Sequence, residues 1–337
     1  MKDSDTPGRV ITERFESRLL KSNLPEDPFV RDLLIYLPPS YDREGRRYPV
    51  VFCLSGYTGS AYTWFNWQAW VPRIDERMDR LIAAGMPEMI LVFPDCFTKY
   101  GGSQYLDSIA AGPYRSYLIH EILPFVDAKY RTKPHRRFRA LMGKSSGGYG
   151  SITIAMDHPG LFSAVACHSG DMYFEYCYLP DFPLAQRLLE RLGGLSVFLQ
   201  EFNELPKNGK EEHALLDTVA MSSCYSPNER SRPHLFDLPF EEKTGELRSE
   251  VWKKWKEKDP VEMVLAKGEA LKDFGLVFLD CGRRDEFSLY LGARIFSTRL
   301  QQMGVAHEYE EFDDGHFNIQ YRYDISLRKI ANYFGKE

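Results

Sequence analysis

Short runs of consecutive apolar residues alternate along this chain with stretches of helical period. The run Tyr48-Pro49-Val50-Val51-Phe52-Cys53-Leu54 is apolar at successive positions, so a strand built from it buries both faces, as in the middle of a parallel sheet. Residues 89–93, 138–142, 162–166 and 275–282 have the same character, and residues 307–312 predict a last strand. Helices are predicted at 61–83, 117–130, 149–156 and 288–303, and a final one buries Tyr323, Leu327, Ile330 and Phe334 at helical spacing. Upstream, residues 11–20 and 30–37 predict an antiparallel hairpin. Strands alternating with helices predict an α/β fold: a mostly parallel, doubly wound sheet with helices on both faces.

Between residues 171 and 262 that rhythm breaks. An aromatic-rich loop (172–178) is followed by a predicted helix with Leu184, Leu188, Leu189 and Leu192 on one face, and by a second with Leu247, Val251 and Trp255 at spacing four. Between these helices, residues 222–233 form a polar stretch with few core positions. The segment leaves one strand end and rejoins before the next strand. It is therefore expected to be a cap-like insertion within a single α/β domain spanning 1–337, with a separate domain as the alternative.

Composition narrows the partners. The 337 residues are 43% hydrophobic, enough for one large core, and the net charge of −5 offers no attraction for nucleic acid or an anionic membrane. Residues 1–8 lack the apolar centre of a secretory leader and no run approaches the length of a membrane span, so a cytoplasmic location is expected. Six cysteines with no Cys-x-x-Cys pair are expected to be buried thiols, not disulfides or zinc ligands. The expected partner is a small molecule, with a homo-oligomer left open.

The candidate chemistry centres on Gly143-Lys144-Ser145-Ser146-Gly147, between the 138–142 strand and the next helix. A Gly-x-Ser-x-Gly turn from strand to helix is a nucleophile elbow, which makes Ser145 the candidate nucleophile. Gly143-Lys144-Ser145 could also end a phosphate-binding loop, but that loop needs a glycine where this chain has Phe138. Downstream strand ends carry Asp285 and His316, completing the order serine, acid, histidine of an α/β-hydrolase. A serine hydroxyl needs a base to take its proton, and histidine titrates where that proton can be taken and returned. The acid fixes the imidazole tautomer. His168 also ends a strand but precedes any candidate acid; Asp280 is the competing acid; Asp313 and Asp314 lie too near His316 in sequence to be its preferred partner. The backbone N–H groups of Tyr57 and Ser146 are the expected oxyanion hole.

The phrases Tyr36-Leu37-Pro38-Pro39-Ser40-Tyr41, Leu54-Ser55-Gly56-Tyr57-Thr58-Gly59, Gly101-Gly102-Ser103-Gln104-Tyr105, Gly143–Gly150, Gly282-Arg283-Arg284-Asp285 and Gly315-His316 resemble the esterase D-like esterase family. That family includes S-formylglutathione hydrolases, enterochelin esterases, feruloyl esterases and mycolyltransferases. The resemblance spans about 28–170 and 275–335 and implies a serine carboxylesterase with no metal or organic cofactor. Two positions depart from it: Ser146 stands where many members carry methionine, and Lys144 where they carry an uncharged residue or histidine. Lys144 is expected to pair with a carboxylate, with Asp280 or Glu121 as candidates. Trp64, Trp67 and Trp70, with Tyr173, Phe174, Tyr176 and Tyr178, suggest an aromatic-lined mouth; of these, Trp64, Trp67, Tyr173 and Phe174 are the expected substrate-binding residues. A short-chain acyl or aromatic, feruloyl-like ester is expected to fit better than a charged one, passing through an acyl-enzyme on Ser145. An acyltransferase using the same residues and a non-catalytic binding protein of this fold are the alternatives.

Overall fold

Eight strands pair into one sheet in the computed structural model, which describes residues 7–336 apart from 24, 26 and 44. Residues 1–6, on which the expectation about a secretory leader partly rests, lie outside the described residues. In chain order the strands are β1 (Arg9–Glu16), β2 (Val30–Leu37), β3 (Val50–Leu54), β4 (Ile90–Phe93), β5 (Arg139–Lys144), β6 (Ala164–His168), β7 (Leu276–Gly282) and β8 (Glu308–Phe312). Their order across the sheet is β1-β2-β4-β3-β5-β6-β7-β8. From β4 to β8 every neighbouring pair is parallel, while β2 runs antiparallel to both β1 and β4. The expected doubly wound sheet, with its antiparallel hairpin at one edge, is the architecture found.

The two-residue period of a strand divides the core between the faces of the sheet. On β5, Leu141 packs with Ile152, Val165, Val277 and Phe296, whereas Ala140 and Met142 pack on the other side with Met78, Leu81, Leu327 and Ile330. Helices α1 (Ile74–Ala83), α2 (Leu123–Lys129), α3 (Ser146–Asp157), α8 (Leu289–Gln302) and α9 (Tyr323–Phe334) supply these partners. The longer helices between β6 and β7 are α4 (Phe182–Leu192), α5 (Lys210–Tyr225), α6 (Ser249–Lys256) and α7 (Pro260–Lys267). A third apolar cluster joins α4, α5 and α6 through Leu188, Leu189, Leu215, Val219, Val251 and Trp255, and reaches the sheet at Cys281 and α8 at Leu289 and Ala293. Helix α7 instead packs Val261, Met263 and Val264 against the sheet core.

Three local expectations need correction. The predicted helix over 61–83 is a short 3-10 turn at Ala61–Phe65 followed, after a loop, by α1; the loop leaves Trp67 at 83% and Trp70 at 99% exposure. Residues 222–225, read as part of a polar stretch, are the buried last turn of α5, where Ser223 and Ser226 satisfy their hydroxyls on the carbonyls of Ala220 and Ser222. Leu247 lies before α6, bridging to Phe240, so only Val251 and Trp255 of the predicted stripe are helical. Trp255 is fully buried against Tyr178, Phe182 and Tyr225, and its indole N–H donates to Ser226 Oγ at 3.0 Å. Trp255→Ala should therefore lower the unfolding free energy by about 3–5 kcal/mol, read from urea denaturation against the parent chain.

Candidate active site

The turn between β5 and α3 is shaped by how closely the helix is laid against the strands. A Cβ added at Gly147 would lie 1.9 Å from the Leu54 carbonyl oxygen, and one at Gly143 would lie 2.3 Å from the Gly147 backbone. With both positions stripped to glycine, α3 begins at Ser146, three residues earlier than its better helix formers suggest. The chain must reverse within one residue, and Ser145 takes φ 58° and ψ −128°, a conformation that costs a non-glycine residue about 1–3 kcal/mol. Its N–H is tied to the His168 carbonyl at 3.0 Å and its carbonyl accepts from Tyr149 N–H at 2.9 Å.

Loops at the carboxyl ends of β7 and β8 bring Asp285 and His316 together. His316 Nδ1 lies 2.7 Å from Asp285 Oδ2, with both side chains almost wholly buried. A carboxylate only accepts, so Nδ1 carries the hydrogen, and in a neutral imidazole the lone pair is then on Nε2. The other Asp285 oxygen accepts the Phe287 N–H at 3.0 Å, Glu286 accepts the His316 N–H at 2.6 Å, and the Phe287 ring stands edge-on to the imidazole at 4.9 Å. These contacts fix the ring before any substrate arrives.

Ser145 and His316 line one cavity of about 500 Å3, together with Tyr57, Ser146, Trp64 and Trp67. The Ser145 hydroxyl has its hydrogen bond with Asp171 Oδ1, at a long 3.4 Å, and among the described residues none joins it to His316. Catalytic hydrogen bonds are often loose until substrate binds. The backbone N–H groups of Tyr57 and Ser146 have no acceptor among the described residues. Among those residues, no group of three or more His, Cys, Asp or Glu could hold a metal ion.

The competing residues lie elsewhere. His168 bridges Asp280 (2.7 Å) and Ser326 (2.8 Å) at zero exposure, and Asp280 also accepts from Arg322 at 2.8 Å. Asp313 pairs with Arg284, and Asp314 accepts from Gly315 N–H and the Tyr321 hydroxyl. Neither expected partner of Lys144 reaches it: Asp280 is taken as above, and Glu121 accepts from the backbone of Arg18 and Leu19. Lys144 instead stands in the cavity wall with Nζ 5.5 Å from the centre of the Phe317 ring. Burial pulls its pKa below the usual lysine value, against the opposing pull of Asp285, Asp171 and Glu286.

Of the four expected substrate contacts, Trp64 and Trp67 line the cavity and Tyr173 and Phe174 do not. Trp64 donates its indole N–H to Ser55 Oγ at 2.9 Å and packs on Phe93 and Tyr323, so it holds the wall from behind. Phe174 is buried in the cap core against Tyr178 and Tyr225, and Tyr173 stacks edge-on with Tyr176. Tyr178, His213 and Asp217, from the segment 171–262, reach the cavity in their place. Sequence reasoning passed over Asp171, His213 and Asp217. One signal for Asp217 was there: a single acid inside the apolar run Ala214-Leu215-Leu216-Asp217-Thr218-Val219-Ala220-Met221.

The two aspartate–histidine pairs separate by experiment. Asp285→Asn should keep the thermal midpoint while lowering kcat by up to about ten-thousand-fold, as the matching change does in serine proteases. Asp280→Asn should instead lower stability in urea, because it removes the buried carboxylate shared by His168 and Arg322 and leaves Arg322 only Glu310.

Comparison with known proteins agrees with this fold. A family model described as Putative esterase matches residues 30–328. An esterase of Mycobacterium tuberculosis is 30% identical over 139 residues, 40% of this chain and 28% of the relative. An endo-1,4-beta-xylanase/feruloyl esterase of Xylanibacter ruminicola is 29% identical over 147 residues, 41% of this chain and 19% of the relative. The chain thus spans less than a third of the length of these curated relatives. Among solved structures, a ferulic acid esterase aligns with a TM-score of 0.61 at 22% identity, covering 98% of this chain and 100% of that one. An S-formylglutathione hydrolase from Agrobacterium tumefaciens aligns at 0.60 and 17% identity, covering 98% and 96%. With nine-tenths of its length matched by the family model, this chain belongs to the putative esterase family.

Proposed function

We propose that this protein is a serine carboxylesterase acting on small esters whose acyl group is short or aromatic. The observation that carries the reading is the buried 2.7 Å bond between His316 and Asp285 at the wall of the cavity that also receives Ser145. Asp285 fixes the imidazole through Nδ1, and Nε2 accepts the Ser145 proton as Oγ attacks the ester carbonyl. The oxyanion forms against the N–H groups of Tyr57 and Ser146, each worth about 3–4 kcal/mol of barrier. His316 returns its proton to the departing alcohol and then activates the water that releases the acyl group. We read the chain as one hydrolase domain carrying residues 171–262 as a cap. The six cysteines, all buried and unpaired, favour a reducing compartment such as the cytoplasm. No described helix is long and apolar enough to cross a membrane.

Ser145→Ala should abolish both hydrolysis of 4-nitrophenyl acetate and labelling by a fluorophosphonate, with the melting temperature held or raised because a strained backbone position is left unchanged. Retained turnover in that variant would remove Ser145 from the mechanism.

A further inference from the structure

The cap contributes more than a cover to this cavity. Asp217 projects from α5 at 9% exposure, lines the cavity, and has no hydrogen bond or ion pair among the described residues. Asp171 stands in the same wall, 95% buried, and its partners are all uncharged: the hydroxyls of Ser145 (3.4 Å), Ser146 (2.9 Å) and Tyr178 (2.9 Å) and the amide of Gln104 (3.1 Å). Two carboxyl groups within electrostatic reach of one another thus share one wall, and neither is in an ion pair among the described residues.

The arginines nearby are paired elsewhere, and Lys144, though its charge feels Asp171, makes no ion pair with it among the described residues. Arg77 pairs with Asp324 at 2.6 Å and Arg73 with Asp75 at 2.7 Å, while Lys144 lies over Phe317. His213, one turn before Asp217 on α5, packs edge-on to Tyr57. Burial pushes the pKa of Asp171 and of Asp217 above the usual carboxylate range, and the neighbouring charges of Asp171 and Asp181 push Asp217 further. A protein gains nothing in stability from such a pair, since an unpaired buried carboxylate is costly until something positive meets it.

We propose that this cap-side wall recognises a cationic ammonium group carried by the ester substrate, held by Asp217 with Asp171 beside it. The aromatic rings of Tyr57, Tyr178 and Phe287 line the same cavity and suit such a group, because an ammonium is attracted to ring faces as well as to carboxylates. The site departs from the neutral substrate expected from the aromatic residues alone. It rests on the esterase reading for its chemistry, since the ammonium must be part of an ester that reaches Ser145, but not for its binding.

Two pairs of esters differing only in a quaternary nitrogen or a carbon test the idea. The acyl pair is 4-nitrophenyl 4-(trimethylammonio)butanoate and 4-nitrophenyl 5,5-dimethylhexanoate; the alcohol pair is acetylcholine and 3,3-dimethylbutyl acetate. In the parent protein the kcat/KM ratio of cation to isostere should exceed about tenfold in at least one pair, and Asp217→Asn should bring that ratio to about one. The melting temperature of Asp217→Asn should hold or rise, since the change removes an unpaired buried charge. A ratio at or below one in both pairs, or a preference that survives Asp217→Asn, overturns the proposal. A binding measurement separates this failure from failure of the esterase reading: butyltrimethylammonium chloride should raise the melting temperature of Ser145→Ala, and 3,3-dimethylbutanol should not. Equal shifts from the two, or no shift from either, would overturn the ammonium site even in an active esterase.

Discussion

The contact between the backbone of α3 and the end of β3 is the constraint on which the site depends. Gly147 sits where any side chain would penetrate the Leu54 carbonyl, so the helix lies closer to the sheet than helices usually can. That closeness leaves one residue in which to turn, and the residue is Ser145. The strain at its φ and ψ is held in place by bonds on both sides, to His168 and Tyr149. The same geometry leaves the Ser146 N–H, first in the helix, free of an internal partner. Exposure of the hydroxyl and availability of the donor beside it thus share one steric cause.

Charge is distributed by a different rule. The chain builds two histidine–aspartate pairs of equal length, 2.7 Å each, at neighbouring strand ends. One is closed: both nitrogens of His168 are bonded, and Asp280 is further occupied by Arg322. The other has a partner recorded for Nδ1 of His316 and faces a cavity. A buried imidazole with both nitrogens satisfied is part of the core, whereas one with a nitrogen to spare can handle protons.

Much of this was legible along the chain, and the reasons it was legible mark where it ceased to be. Strands β3 to β7 were plain because burial on both faces forces uninterrupted apolar runs, and the elbow was plain because Gly143 and Gly147 have a steric duty that no other residue performs. Asp285 and His316 followed from their places after β7 and β8. The cap was harder. Helix α5 carries serines and a cysteine in its last turn, whose low intrinsic propensity points away from a helix, and tertiary burial overrides that preference. The aromatic residues 173 and 174 misled because a ring serves equally in a pocket wall and in a core, and here the cap core claimed Phe174. Lys144 misled in the opposite sense: a cation beside an elbow suggests an ion pair, yet it rests on the ring of Phe317.

The cavity draws its walls from the carboxyl ends of the strands on one side and from the helices of residues 171–262 on the other. Ser145 and His316 hang from the first and Asp217 and His213 from the second. Changes in α5 can therefore reshape one wall of the cavity while the turn at Ser145 and the His316–Asp285 bond stay as they are.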